Sequence, residues 1–254
     1  MSAAQPAPRP LALVTGGMHR IGACLAARLA DAGYELALHS RSDSLPDAAL
    51  ADALSRNGTA WRGFCADLSL EGEADRLFDS VVAHCGRPPS LLINNASLFA
   101  DSSAAVPDSH QLKQVMMVNL AAPIQLAKRM AQSGAAGCII NILDQRVRNP
   151  VPDQFDYTIT KQALWQATRT MAFALAPDIR VNAVAPGLTL PTHAYSQGQM
   201  ARIAALMPLN RLPSPSDLAD AVLYLIGAPS VTGQTLFVDG GANLRSYDRD
   251  FAFL

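Results

Sequence analysis

The sequence has little charge and few cysteines, and both shortages exclude classes of function. Charged residues make up 16% of the 254 positions and the net charge is -1, so the composition favours neither nucleic acid nor an anionic membrane as a partner. The four cysteines are widely spaced and form no CxxC pair, which predicts reduced, mostly buried thiols and no metal site. No apolar run is long enough to span a membrane.

Apolar residues, in contrast, are abundant. They make up 50% of the chain, which is ample for a large core. The first ten residues, MSAAQPAPRP, lack the apolar stretch of a signal peptide and predict a disordered leader. No linker or change of composition divides residues 11–254, so we expect one domain, in a cytoplasmic enzyme.

Short apolar runs alternate with helical patterns along the rest of the chain. The predicted strands are Leu11–Thr15, Tyr34–Arg41, Trp61–Leu68, Leu91–Ala96, Gly137–Asp144, Ile179–Ala185 and Leu236–Asp239. The predicted helices are Ile21–Ala32, a helix ending near Asn57, Glu71–His84, Asp108–Gln132 and Tyr157–Ala176. Apolar strands without polar alternation indicate burial on both faces. The pattern predicts an α/β fold, a Rossmann-like doubly wound parallel sheet of about seven strands with helices on both faces.

A glycine-rich loop follows the first predicted strand, Thr15-Gly16-Gly17-Met18-His19-Arg20-Ile21-Gly22. Glycines let backbone amides approach a pyrophosphate at a helix N-terminus. The spacing is not GxGxxG, and such a loop by itself is often only a tight turn. Its position at the start of a βα repeat favours a dinucleotide site. Arg20 stands where glycine is expected; it is either a solvated arginine or, as we favour, a cation beside the cofactor phosphates.

The second predicted strand ends in His39-Ser40-Arg41-Ser42. An arginine here suits the 2′-phosphate of NADP, whereas NAD enzymes place a carboxylate. Asp43 is the counter-evidence, and we expect it to point into solvent. The sequence therefore predicts NADP(H). Ala66-Asp67-Leu68 after the third strand is placed to contact adenine, and Asn94-Asn95-Ala96 after the fourth forms a polar turn beneath the cofactor.

Tyr157 and Lys161 are four residues apart, on one face of a predicted helix. A tyrosine ordinarily has a pKa of about 10, and a neighbouring cation brings it closer to neutrality. An isolated YxxxK pair is common on protein surfaces. Here the pair follows the glycine-rich loop, Asn94-Asn95-Ala96 and Asn119, and it precedes Pro186-Gly187.

In this order and spacing the motifs resemble those of short-chain dehydrogenases/reductases, over essentially Leu11 to Leu244. The resemblance implies that Tyr157 donates or accepts the proton, and that Lys161 binds the nicotinamide ribose and tunes the tyrosine. It also implies that Asn119 holds a water in a proton relay and that Pro186-Gly187 lines the cofactor site. The family is commonly tetrameric, so we expect a homotetramer.

One residue departs from the usual pattern of that family. Asp144 stands thirteen residues before Tyr157, where a serine usually holds a substrate carbonyl or alcohol. A carboxylate disfavours a developing alkoxide, and it should raise the pKa of the tyrosine and its own. Such a pair suits proton delivery to a nitrogen as hydride reaches the adjacent carbon. Asp144 therefore favours reduction of a C=N bond.

Aspartate at this position is similar to the pattern of pteridine reductases, as are Arg20-Ile21-Gly22, His39 to Ser42, Ser97-Leu98-Phe99 and Pro186-Gly187-Leu188. The resemblance implies that Phe99 stacks on a pterin, that Ser97 contacts both phosphate and pterin, and that Arg20 contacts both ligands. The expected substrate-binding residues are Arg20, Ser97, Phe99, Asp144, Tyr157, Gly187 and Leu188. No metal is expected. A core or loop-anchoring role is the alternative for Phe99.

Two other functions stay open, a carbonyl reductase with an unusual site and a non-catalytic NADP-binding sensor. Residues 189–213 are the predicted substrate lid, with a helical stretch Met200–Met207; His193 and Tyr195 within it do not identify a substrate. The tail from Arg245 to Leu254 ends in apolar residues, which more often pack at an interface than stay in water. We expect it to meet a neighbouring subunit, and the sequence leaves open whether it reaches that subunit's active site.

Overall fold

The computed structural model describes residues 9–106, 108–191, 195 and 197–253 of the chain. Its strands are β1 Leu11–Val14, β2 Glu35–Ser40, β3 Trp61–Cys65, β4 Leu91–Asn94, β5 Gly137–Ile142, β6 Ile179–Pro186 and β7 Thr235–Val238. They form one sheet in the order β3-β2-β1-β4-β5-β6-β7, and every neighbouring pair is parallel. The predicted fold class is confirmed.

The helices connect successive strands and cover both faces of the sheet. They are α1 Arg20–Asp31, α2 Ala48–Arg56, α3 Glu73–Cys85, α4 Ser109–Met116, α5 Ala122–Gln132, α6 Phe155–Ala174, α7 Gln197–Leu206 and α8 Pro215–Gly227. Ala12 and Val14 of β1 join a cluster with α1, α2 and α8, whereas Leu11 and Leu13 join the opposite cluster with α3 and α5. Alternate side chains of the central strands are therefore buried on opposite faces, as a doubly covered sheet requires.

Three elements differ from the expectation. β3 ends at Cys65 and is an edge strand whose Trp61 is exposed, so burial on both faces is wrong there. The predicted helix Asp108–Gln132 contains a π-helical turn, Met117–Ala121, between α4 and α5. α8 is not among the predicted helices, although Ser214 and Asp217 form a capping box at its start.

The position of the site follows from the strand order. The chain runs from β1 outward to β2 and β3, then returns to β4 on the other side of β1. The connections leaving β1 and β4 therefore cross to opposite faces, and a crevice opens between their carboxyl ends. The loops after β1, β4, β5 and β6 all reach this edge.

The C-terminal tail packs against the lid helix of its own chain. Phe251 is buried with Ile203 of α7 and with Met207 just after that helix, and Tyr247 packs at the border of the same cluster. Phe253 of the same tail stays 56% exposed, and the expected contact of the tail with a neighbouring subunit stays a prediction. Residues 1–8 of the predicted leader, His193 of the predicted lid and the terminal Leu254 lie outside the described residues.

The described residues contain no helix that is long and apolar enough to cross a membrane. All four cysteines are free thiols, as predicted, and Cys138 is buried. The predicted burial of most of them is wrong, since Cys24 and Cys85 are partly buried and Cys65 lies exposed at the end of the edge strand β3.

Candidate active site

The glycine-rich loop after β1 is fastened to the end of β4. The Thr15 hydroxyl accepts hydrogen bonds from the backbone N–H groups of Asn95 and Ala96, at 2.9 and 3.0 Å. The Asn95 amide donates to the carbonyls of Thr15 and Gly16. A Cβ on Gly22 would lie 1.9 Å from the Gly16 carbonyl oxygen, so only glycine permits this closely wound loop.

Arg20 occupies a glycine-like conformation, as its place in the motif predicts. Its φ is +56°, in the left-handed region that non-glycine residues rarely adopt. The Asp47 carboxylate accepts from the Arg20 backbone N–H at 2.9 Å and contacts His19 Nδ1 at 2.6 Å. Hydrogen bonding from His19 lowers the pKa of Asp47. Sequence reasoning missed Asp47, since it precedes α2 and gives no local signal of contact with the loop.

Three expected cofactor residues have their side chains inside the protein. His39 is 3% exposed, and it accepts from the Gly16 N–H and donates to the Ala66 carbonyl, the tautomer being assigned from these partners. Met18 and Leu68 are buried in the two large clusters of the sheet. These side chains position the loops that line the crevice, whereas contact with a cofactor would fall to their backbones.

We expect His39→Leu to destabilise the protein by about 1–3 kcal/mol for each buried backbone group left unpaired. Burial lowers the pKa of His39 below its ordinary value of 6.5. The stabilisation that His39 provides is therefore complete above pH 6.5. It declines as the pH falls from 6.5 toward the lowered pKa of the folded protein, because in that range only the unfolded chain takes up the proton. Thermal midpoints of both proteins between pH 5 and 8 would test this; an equal decline in the variant would contradict it.

The residues expected at the 2′-phosphate lie at the open edge of the sheet. Arg41 and Ser42 are exposed, and the Ser40 hydroxyl donates to the Ser42 carbonyl. Asp43 is exposed, as predicted. Asp67 accepts from the backbone and hydroxyl of Ser69, so one carboxylate oxygen is already used in the turn after β3.

The crevice brings together Asp144, Tyr157 and Phe99. The Tyr157 hydroxyl donates to Asp144 Oδ2 at 3.1 Å. Phe99 packs edge-on against the Tyr157 ring, with centroids 4.8 Å apart. Tyr157 is 7% exposed and Phe99 is 52% exposed, so an aromatic face beside the buried hydroxyl stays open. That exposure favours ligand contact over a core role for Phe99.

Two cations, Lys161 and Arg146, lie close to Tyr157. Lys161 Nζ donates to the Ile142 carbonyl at 2.8 Å, and burial lowers its pKa to about 8. Burial and the Asp144 carboxylate raise the pKa of Tyr157 well above its ordinary value, and the cation that opposes them is Arg146. Lys161 Nζ also lies 5.6 Å from the centroid of the Tyr157 ring, and its expected lowering of the Tyr157 pKa stays a prediction. The raised pKa keeps the Tyr157 proton in place at neutral pH.

The Asn119 side chain orders the loop that carries Phe99. Its oxygen accepts from the Leu98 N–H at 2.7 Å and from the Ser97 hydroxyl at 3.2 Å. Its amide donates to the Leu98 carbonyl and to the Thr160 hydroxyl. All four hydrogen-bonding positions of this amide are used, so a relay water would need another group to hold it. Asn119 lies in the π-helical turn, a feature frequent at functional sites.

Arg146 is the buried centre of the site, and it is absent from the expected site residues. Its guanidinium donates from Nε to Asp144 Oδ1 at 3.3 Å, from Nη1 to Gln154 at 3.2 Å and from Nη2 to Asp250 at 2.5 Å. It lies 5.3 Å from the Tyr157 ring centroid. An arginine two residues after Asp144 at the carboxyl edge is the signal that could have indicated it. Asp250 has no such signal, because it lies 104 residues away in sequence.

The loop after β6 closes the crevice. The Gly187 N–H donates to the Val238 carbonyl at 3.0 Å. A Cβ on Gly187 would lie 2.8 Å from the Asp239 Cα, so the close approach requires glycine. Pro186 is buried, whereas Leu188 is partly buried and packs toward the lid and tail cluster.

Comparison with known proteins settles the family. The family model described as enoyl-(acyl carrier protein) reductase matches residues 16–243. The chain belongs to the short-chain dehydrogenase/reductase family. A putative ketoacyl reductase 2 of granaticin polyketide synthase from Streptomyces violaceoruber is 36% identical, with 92% of this chain and 96% of that protein covered. Carbonyl reductase family member 4 of Danio rerio is 33% identical, with 92% and 98% covered.

Two solved structures are also similar to this chain. The FolM alternative dihydrofolate reductase 1 from Brucella canis, complexed with NADP, is 37% identical, with a TM-score of 0.87 and 95% and 96% of the two chains covered. Its counterpart from Brucella suis, also with NADP, is 36% identical, with a TM-score of 0.81 and 93% and 96% covered. Within the residues that the structure describes, this short-chain reductase has no cluster of side chains suited to a metal ion.

Proposed function

We propose that this short-chain reductase uses NADPH to reduce dihydropterins, such as dihydrobiopterin or dihydromonapterin and also dihydrofolate, to tetrahydropterins. The single observation that carries the proposal is the hydrogen bond from Tyr157 to Asp144 beneath the half-exposed ring of Phe99. The similarity to the two FolM structures supports the same class of substrate. The protein is proposed to act in the cytoplasm as a homotetramer.

The residues present fit NADP(H). The loop Thr15–Gly22 offers a tightly wound glycine cradle, and two exposed cations stand nearby in the motif pattern, Arg20 at the start of α1 and Arg41 directly after β2. Both solved relatives were determined with NADP. We propose that Arg41, with Ser40 and Ser42, holds the 2′-phosphate and that Lys161 holds the nicotinamide ribose. The cofactor supplies the hydride that the reduction of a C=N bond requires.

The protein's own groups supply the proton and the orientation of the substrate. Tyr157 holds a proton on its hydroxyl at neutral pH and delivers it to the ring nitrogen of the substrate, N5 of the pterin, as C6 gains the hydride. Asp144 accepts the Tyr157 hydrogen bond and disfavours a persistent phenolate, so the tyrosine regains its proton readily. Phe99 offers a face for the flat ring. Ser97, Arg20, Gly187 and Leu188 are the other residues that we propose to contact the substrate.

The proposal is tested by following NADPH absorbance with dihydrobiopterin, dihydrofolate and a panel of ketones. Rapid oxidation with the dihydropterin supports the proposal. The sequence relatives named as ketoacyl and carbonyl reductases make carbonyl reduction the second candidate. Turnover of ketones alone would select that candidate and contradict pterin reduction. Binding of NADPH without turnover of any substrate in the panel would favour a sensor.

We expect Arg41→Ala to raise the KM for NADPH about tenfold or more, because a charge-assisted hydrogen bond contributes about 1.5–3 kcal/mol. The KM for NADH should change little, since NADH has no 2′-phosphate. Arg56→Ala is the matched control, since that side chain is 65% exposed at the end of α2. Steady-state kinetics with both cofactors measure the effect; an equal loss for NADH would contradict the role of Arg41.

A further inference from the structure

The described tail residues connect the lid to the catalytic pair through one buried carboxylate. Asp250 has a side chain that is 5% exposed, and its partner Arg146 has one that is 7% exposed. Asp250 Oδ2 accepts from Arg146 Nη2, and Oδ1 accepts from the Tyr195 hydroxyl of the lid at 3.3 Å. The Asp250 backbone N–H donates to Asp153, which also pairs with Arg249. Asp250 is therefore fixed from three directions.

Arg146 transmits this anchoring to Asp144. The Arg146 backbone N–H and Nε both donate to Asp144 Oδ1, which leaves Oδ2 turned toward the Tyr157 hydroxyl. Nη1 is held by Gln154, a buried residue with a φ of +47° just before α6. A non-glycine residue keeps such a strained backbone only where its surroundings enforce it, and such residues concentrate at functional sites. The planar guanidinium fits this three-point arrangement, which an ammonium could not span.

We propose that Asp250 is a positioning residue of the active site, acting through Arg146 to hold Asp144 in its orientation toward the Tyr157 hydroxyl. The identity of the reaction rests on the proposed function, but the anchoring does not. Removal of the Asp250 charge leaves Asp144 as the carboxylate paired with Arg146. The positive charge of Arg146, now less compensated, then acts more strongly on the nearby Tyr157. The ionisable groups facing the pair from the packed elements are Lys161 of α6, Arg146 after β5, Tyr195 of the lid, and Asp250 with Asp153 and Arg249 around it.

Charge alone predicts the direction of the effect. Burial and Asp144 raise the pKa of Tyr157, Asp250 raises it further, and Arg146 lowers it. We therefore expect Asp250→Asn to lower the pKa of Tyr157 and to move the basic limb of the kcat profile to lower pH. We also expect kcat to fall about tenfold or more while the Kd for NADPH changes less than about twofold, since loss of alignment acts on the chemical step.

The test compares Asp250→Asn with Asp250→Glu and with Asp248→Asn, which removes the same charge from an exposed position two residues earlier. For each protein we would measure kcat and KM across pH, NADPH binding, the thermal midpoint and phenolate absorbance, with Tyr157→Phe as the spectral blank. Glutamate should restore most of kcat, and Asp248→Asn should match the unaltered protein. A change in thermal midpoint alone, or equal effects of both asparagine variants, would overturn the proposal.

These readouts separate failure of the inference from failure of the proposed function. Absence of dihydropterin turnover in the unaltered protein would contradict the proposed function only. The phenolate titration would still report whether Asp250 acts on Tyr157. An Asp250→Asn protein whose titration and kcat match the unaltered protein would contradict the inference and leave pterin reduction in place.

Discussion

Tyr157→Phe is expected to lower kcat for dihydropterin reduction by about 10²–10⁴-fold, because it removes the only atom of that side chain that can carry the transferred proton. The hydroxyl lies at the buried end of the ring, 3.1 Å from Asp144 Oδ2, while the ring itself packs against Phe99. Phenylalanine keeps the ring and its contacts. The Kd for NADPH and the thermal midpoint should therefore stay close to those of the unaltered protein.

Single-turnover measurement of NADPH oxidation in the presence of dihydrobiopterin would test this loss. Tyr224→Phe is the matched control, since that tyrosine is 60% exposed on α8, away from the crevice. Retention of dihydropterin-dependent oxidation by Tyr157→Phe would exclude Tyr157 as the proton donor. Retained cofactor binding with no turnover in either protein would instead favour the sensor.

Asp144→Ser is expected to invert the preference between the two candidate reactions. The change introduces the hydroxyl that this position usually has in the family, and it removes the carboxylate that holds the Tyr157 hydrogen bond. Since Asp144 raises the pKa of Tyr157, the basic limb of the pH profile should move to lower pH. We expect dihydropterin reduction to fall roughly 10²-fold, while ketone reduction is unchanged or improved.

The ratio of kcat/KM for dihydrobiopterin to that for each ketone is the informative quantity, because general damage lowers both values together. Asp52→Ser, an exposed substitution of the same kind on α2, controls for the change of charge. An unchanged ratio would mean that Asp144 does not select the substrate. In that case the chemistry would have to be decided by other residues of the crevice.

Much of the candidate site could be predicted from short stretches of sequence, because several of its residues lie close together along the chain. Thr15–Gly22 forms one loop, Asn95–Phe99 forms another, and Tyr157 and Lys161 share one helix face. The motif order also indicated where Asp144 belongs, since β5 delivers it to the edge that α6 reaches. The positive φ of Arg20 agrees with its place in a glycine position.

Sequence patterns could not give the partners of these residues. His39 near the end of β2, and Met18 and Leu68 after β1 and β3, lie at the expected edge of the sheet, but their side chains are buried in the protein. Lys161 stands one turn from Tyr157 on α6, yet its ammonium donates to the carbonyl of Ile142. That acceptor lies at the end of β5, which packing brings next to α6. The partners of the Asn119 amide are the Ser97–Leu98 loop and Thr160, which the motif does not indicate, and its part in holding a relay water stays a prediction.

The sequence by itself determined the doubly wound sheet, the family and the loops that meet at the crevice, because hydrophobic period and short motifs act over neighbouring residues. Only the tertiary structure decided that Arg146, Gln154 and Asp250 surround the catalytic pair and that the tail packs on its own lid. Asp250 and Asp144 are 106 positions apart in sequence, and a buried arginine joins them. Beside the neighbouring Asp144, burial of that cation draws a second carboxylate from a distant segment, and no local pattern of side chains indicates where that carboxylate lies.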